Sequence, residues 1–256
     1  MALATWAAEG TLNHGWVLAA AANEPLEVVE RLLVAHLHSI GEMENPGAGL
    51  TLDLAAKYGA PADLLKLVLS RRPAACSERR GGRLPLHWLA EKCAPPEVVQ
   101  LVLAANPPAI STKDTSGSLP LHLAAAGHAP VEVVRALLEA YPAALGEQDG
   151  RGLLPLHLAA GEPERCCCGY AGYRVARCQC ATGTIGLLVD ADPIACEVEA
   201  GWKGELPLHL ALNHGASPAV IRRLLEHYPD AILARSRCPF VFRVPPHCVV
   251  GMYSVR

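Results

Sequence analysis

Gly117-Ser118-Leu119-Pro120-Leu121-His122-Leu123-Ala124-Ala125-Ala126 is followed, three residues on, by Pro130-Val131-Glu132-Val133-Val134-Arg135-Ala136-Leu137-Leu138. The first run reads as a short helix with Pro120 in its opening turn, where the missing amide hydrogen is no loss. The second reads as a helix opened by Pro130. Glu132 there opposes the positive end of the helix dipole, an effect of ~0.3–1 kcal/mol. Its pairs Val133/Val134 and Leu137/Leu138 stand four apart, so they line one face. Pro142 cannot continue the hydrogen-bond ladder, and a polar, Gly-containing loop runs over 146–152. The predicted unit is helix, turn, helix, loop.

The unit recurs. Leu-Pro-Leu-His begins at Leu84, Leu119, Leu154 and Leu206, at intervals of 35, 35 and 52 residues, so the last carries an excess of 17. Worn copies stand at Leu50-Thr51-Leu52-Asp53 and His14-Gly15-Trp16-Val17, which brings the series to six. Proline and an acid two places later recur at Pro25/Glu27, Pro61/Asp63, Pro95/Glu97 and Pro130/Glu132. The paired stripe recurs at Val28/Val29 with Leu32/Leu33, Leu64/Leu65 with Val68/Leu69, Val98/Val99 with Val102/Leu103, and Val220/Ile221 with Leu224/Leu225. Pro73, Pro107, Pro142 and Pro229 end these helices. Units of this kind bury their stripes only against one another, and the expected fold is an all-α helix-turn-helix repeat solenoid.

Composition agrees. The 256 residues are 51% apolar but only 5% aromatic, so Ala, Leu and Val must build a core of closely stacked helices. A net charge of -3 gives no electrostatic reason to expect nucleic acid. No apolar run approaches the ~20 residues of a membrane helix, and the Ala-rich start lacks the basic region of a secretory signal. Five of the ten cysteines fall within 15 residues, which is no disulfide framework for the whole chain. The expected setting is intracellular, cytoplasmic or nuclear.

At the tetrapeptides the sequence resembles the ankyrin-repeat family, whose signature is Thr-Pro-Leu-His followed by a small apolar helix. A Gly stands two places before the motif, as in the family, at Gly82, Gly117, Gly152 and Gly204. Leu replaces the signature Thr, and the period exceeds the family's ~33 residues. The resemblance implies antiparallel helix pairs with loops projecting to one side. It also implies that loop tips and the concave face of the first helices bind a partner protein, with no catalytic residue and no cofactor. On that pattern the partner-binding positions are Arg83, Trp88, Glu91 and Lys92, then Thr115, Ser116, Ser118 and His128. Arg151 and Leu153, and Trp202, Lys203 and Glu205, complete the set. The family carries no further implication for the oligomeric state, and a monomer is expected.

His87, His122, His157 and His209 recur once per unit. Successive helices lie ~8–10 Å apart, whereas zinc ligands share an ion at ~2.0–2.1 Å, so the four cannot converge on a metal. Their expected role is structural, bonding backbone groups between units. The excess of 17 residues, near 161–178, brings a different composition, with Cys166, Cys167, Cys168, Cys178 and Cys180. It reads as a thiol-rich loop added to the array, as a zinc site using Cys166, Cys168, Cys178 and Cys180, or as read-through of non-coding sequence. The tail 236–256 breaks the grammar, and Phe240, Val241, Phe242 and Val244 are candidates for a terminal cap. Phosphate-binding, dinucleotide, zinc-protease and serine-hydrolase motifs do not occur. The sequence therefore points to a non-catalytic protein-interaction module or scaffold. The alternative is a metal- or redox-responsive protein acting through the 166–180 loop.

Overall fold

A computed structural model of the chain describes residues 62–71, 73–161 and 180–234, together with Val28, Arg31 and Leu52. The described residues are helical, without a strand, and the fold is an ankyrin-like helical repeat. The expectations for the units near 14 and 50, the 161–178 insertion beyond Gly161 and the 236–256 tail lie outside the described residues, single positions apart. The chain forms two compact units, Met1–Ala109 and Ile110–Arg256.

The first unit contains α1 (Ala62–Arg71), α2 (Pro85–Glu91) and α3 (Pro96–Ala105), with a 3-10 turn at Pro73–Ser77. Helix α3 packs on both α1 and α2. The predicted stripes supply the contact: Leu65, Val68 and Leu69 from α1, Val98, Val99 and Val102 from α3, all buried.

The second unit contains α4 (Pro120–Ala126), α5 (Val131–Ala140), α6 (Pro155–Gly161), α7 (Cys180–Ala191), α8 (Pro207–Asn213) and α9 (Pro218–His227). Each first helix pairs with its own second helix: α4 with α5, α6 with α7, α8 with α9. The first helices α4, α6 and α8 also stack in series, as do the second helices α5, α7 and α9. Ala124, Ala125, Ala159, Ala160 and Ala211 are buried, so small side chains set the close approach of the first-helix row.

Helix ends follow from local chemistry. The amide of Ala129 reaches back to the carbonyl of Ala124 at 2.9 Å, and Ala216 to Ala211 at 2.8 Å, closing α4 and α8 in a Schellman geometry. The residue before each amide takes a left-handed φ: 50° at His128 and 68° at Gly215. Two readings of proline need correction. Pro95 and Pro130 sit at the N-cap with ψ of 141° and 143°, outside the first helical position, which Pro96 and Val131 occupy. An extended ψ is incompatible with helix, yet the cap still loses nothing from the missing amide hydrogen. The prolines after the second helices do not stop them directly. Helices α3, α5 and α9 end at Ala105, Ala140 and His227, and Pro107, Pro142 and Pro229 then open 3-10 turns.

Helix α7 escaped the sequence reading. No proline opens it, and in the stripe Thr184/Ile185 with Leu188/Val189 the buried Thr184 stands where its neighbours carry valine. Pro193, opening the turn Pro193–Cys196, was the overlooked signal.

Candidate functional site

The loop before each first helix starts from an aspartate in two cases. Asp114 Oδ1 accepts the amides of Ser116 at 2.8 Å and Ser118 at 2.9 Å. Asp149 Oδ1 does the same for Arg151 at 2.8 Å and Leu153 at 2.9 Å. Such local bonds hold a backbone that has no ladder to join. The loops before α2 and α8 lack the aspartate and are tied by paired backbone bonds instead, between Arg80 and Arg83 and between Ala200 and Glu205.

Adjacent loops of the second unit are stitched together. The amide of Gly150 donates to the carbonyl of Ser116 at 2.8 Å, and that of Gly201 donates to Gly152 at 3.1 Å. The approach is too close for side chains, since a Cβ on Gly150 would lie 2.5 Å from the Ser116 oxygen. Three loops thus make one ledge, and Arg151 and Trp202 stand exposed on it.

His122 and His157 bind this ledge from below, and all four histidines hold the start of their own helix or the loop that follows. At His87, His122 and His209, Nδ1 accepts the amide of the N-cap leucine, at 3.1, 3.2 and 3.1 Å. The imidazole plays the part of the acid in a capping box, while leucine has no side-chain acceptor to complete it. With Nδ1 accepting, the proton sits on Nε2, which in His122 faces the carbonyls of Glu147 at 3.0 Å and Leu153 at 3.2 Å. His157 Nε2 faces Val198 at 3.0 Å and Glu205 at 3.1 Å, and His209 Nε2 faces Ala234 at 3.2 Å. Burial pushes the imidazoles of His122 and His209 below their ordinary pKa, outweighing the carbonyls and nearby acids that raise it. Burial holds His157 at about 4. A neutral ring is what lets Nδ1 accept the N-cap amide while Nε2 donates to the carbonyls.

The candidate positions divide sharply. In the first unit Arg83, Trp88, Glu91 and Lys92 come together. The Arg83 guanidinium lies 4.9 Å from the Trp88 ring and 2.7 Å from Glu91, whose other oxygen faces Lys92 at 3.8 Å. In the second unit Thr115, Ser116, Arg151 and Trp202 are exposed, with Leu153 and Lys203 half-buried. Trp202 is 82% exposed, with the Lys203 ammonium 5.1 Å from its ring. Ser118, His128 and Glu205 do not belong to the surface: all three are buried, at 5%, 0% and 8% exposure. Ser118 gives its amide to Asp114, the left-handed turn at His128 folds its ring inward, and Glu205 accepts from Asn213 at 3.5 Å. Asp114 and Asp149, which shape the ledge, were missed as functional residues. Their signal was Asp-x-x-Gly placed two residues before the tetrapeptide.

Cys166, Cys168 and Cys178 lie outside the described residues, and Cys180 opens α7. Among the described residues no group of three His, Cys, Asp or Glu is placed to hold a metal. Burial raises the Cys76 thiol, and burial with Asp192 and Glu197 pushes Cys196 up to about 11, so neither supplies a thiolate near neutral pH. No described helix is long and apolar enough to cross a membrane.

Residues 113–159 match the family model described as ankyrin repeats in many copies. The match runs from the first aspartate loop through α4 and α5 to the end region of α6. No curated protein matches the sequence.

Proposed function

We propose that this chain, an ankyrin-repeat protein by its match over 113–159, is a non-catalytic interaction module or scaffold. Ankyrin repeats as a class mediate protein-protein contacts. In this chain the partner is bound through the loop tips and the concave helix face. The observation that carries the reading is Trp202, 82% exposed on a loop fixed by backbone bonds on both sides. Large aromatics are enriched among the residues that carry binding energy at interfaces, and this one is held in water on a fixed loop. The chemistry of the interior supports the same reading, because the imidazoles are committed to backbone carbonyls and the buried thiols are held protonated. The module acts as an intracellular monomer, a setting that suits the free thiols of Cys76, Cys93 and Cys196.

The test is a crosslinked pull-down with the full chain. Trp202→Ala and Arg83→Glu should each reduce recovery of the partner while the melting transition stays in place. Undiminished recovery with both variants would move the binding site elsewhere.

A further inference from the structure

We infer that the ledge of the second unit selects an acidic segment of its protein partner, one carrying an Asp or Glu beside a bulky apolar side chain. The inference rests on the binding function proposed above and names the chemistry of the partner.

Charge on the ledge is one-sided. Asp114, Asp149 and Glu205 are turned inward, at 7%, 7% and 8% exposure, where each accepts hydrogen bonds. Glu147 is matched by Lys113 at 2.8 Å, which also holds its carboxyl below the usual range. Arg151 and Lys203 are the cations left on the tips. Glu197 and Glu199, exposed before Ala200, bound the cationic stretch on its N-terminal side.

Arg151 is also preorganised. Its Nε lies 3.3 Å from Asp149 Oδ2, whose side chain is 1% exposed while that of Arg151 is 65% exposed. The buried aspartate holds the inner edge of the guanidinium and directs the Nη edge to solvent. That edge has the fork geometry that pairs with a carboxylate in two parallel hydrogen bonds. Beside it, Gly201 packs against Leu153, so closely that a Cβ on the glycine would lie 3.2 Å from the Leu153 side chain. Trp202 follows directly, with Lys203 over one face of its ring. An apolar residue next to the partner's acid therefore finds Trp202 and Leu153, while its carboxylate finds Arg151. Electrostatic pairing of this kind selects partners and speeds their encounter.

The experiment pans a library of random displayed peptides on the full chain and on its Arg151→Glu and Lys203→Glu variants. Expected are peptides enriched in Asp or Glu beside an aromatic or branched residue, binding at least about tenfold more weakly to Arg151→Glu and more weakly at raised salt. Basic or uncharged peptides, acidic peptides indifferent to both variants, or no enrichment would each overturn the inference. The broader function is judged separately. A pull-down partner lost on Trp202→Ala but bound through a basic or uncharged segment would overturn the acidic selectivity alone.

Discussion

The imidazole Nε2 of His157 lies 3.1 Å from the carbonyl oxygen of Glu205, 48 positions along the chain. The equivalent bond of His122, to Leu153, spans 31 positions at 3.2 Å. The difference, 48 against 31, equals the excess of 17 residues in the last interval between tetrapeptides. The bond of His157 to Val198 spans 41 positions against 25 for that of His122 to Glu147, so sixteen of the additional residues precede Val198 and one falls between Val198 and Glu205, and the grip of the first helix on the next loop keeps its form.

Deletion of residues 162–177 should accordingly leave the array standing. Loop length alone costs little, about 0.6 kcal/mol per doubling. Helical circular dichroism and the melting temperature of the deleted protein are expected to stay close to those of the full chain. A collapse of either would show that the cysteine-rich segment holds the fold.

Removing the His157 ring should be costly. His157→Ala leaves the carbonyls of Val198 and Glu205 without their buried donor, a loss of roughly 1–3 kcal/mol in urea unfolding. An unchanged unfolding midpoint would show that these contacts contribute nothing.

The same ring predicts a pH dependence. In the fold it titrates at about 4, below the ~6.5 of an exposed imidazole in the unfolded chain. Above that higher value both states are neutral and the stabilisation is present in full. As pH falls from ~6.5 toward about 4 the unfolded chain takes up the proton first, so stability declines through this window. The total from His157 is roughly 3 kcal/mol, with His122 and His209 acting in the same direction. Unfolding free energies measured across the window should fall with acid, and His157→Gln should flatten the slope.

The helix pairs were legible in sequence because each carries its own punctuation. Valine and isoleucine pairs at helical spacing, with proline before and after, are buried at Val98, Val99, Val133, Val134, Val220 and Ile221. Helix α7 was not legible, because Ala181-Thr182 stands where its neighbours carry proline and Thr184 where they carry valine. The surface was half legible. Counting from the tetrapeptide finds loop positions, but not whether a side chain turns in or out. Ser118 and Glu205 turn in because their loops use them for internal bonds, and His128 because a left-handed residue ends α4. The ledge itself depends on contacts between residues 34 or more positions apart, such as Gly150 with Ser116, which no local pattern records.

Two glycines separate steric from conformational cost. A Cβ at Gly215 would meet nothing within 4 Å, but its φ of 68° is strained for any L side chain. Gly215→Ala should therefore cost about 1 kcal/mol, from the left-handed backbone alone. At Gly150 the added Cβ would lie 2.5 Å from the Ser116 carbonyl oxygen, and that oxygen is backbone and cannot step aside. Gly150→Ala should break the stitch between loops and cost more than Gly215→Ala in the same denaturation series. The reverse order would mean that the two loops part at little cost.

Asp114 and Asp149 make the same pair of amide bonds, and Asp149 also holds Arg151. Each aspartate caps a loop that cannot otherwise pair its amides, so Asp114→Ala and Asp149→Ala should cost similar amounts, about 1–2 kcal/mol. The Arg151 contact adds little to stability, because its guanidinium is largely exposed and such pairs contribute at most ~1 kcal/mol. Hydrogen exchange should tell the two variants apart by place. Asp114→Ala should expose the amides of Ser116 and Ser118, and Asp149→Ala those of Arg151 and Leu153. Gly201 donates to Gly152, inside the loop that Asp149 holds, so its amide should lose protection in Asp149→Ala and less in Asp114→Ala. Protection of Gly201 unchanged in Asp149→Ala would show that the Trp202 loop holds its place without the aspartate, and that Asp149 acts on Arg151 alone.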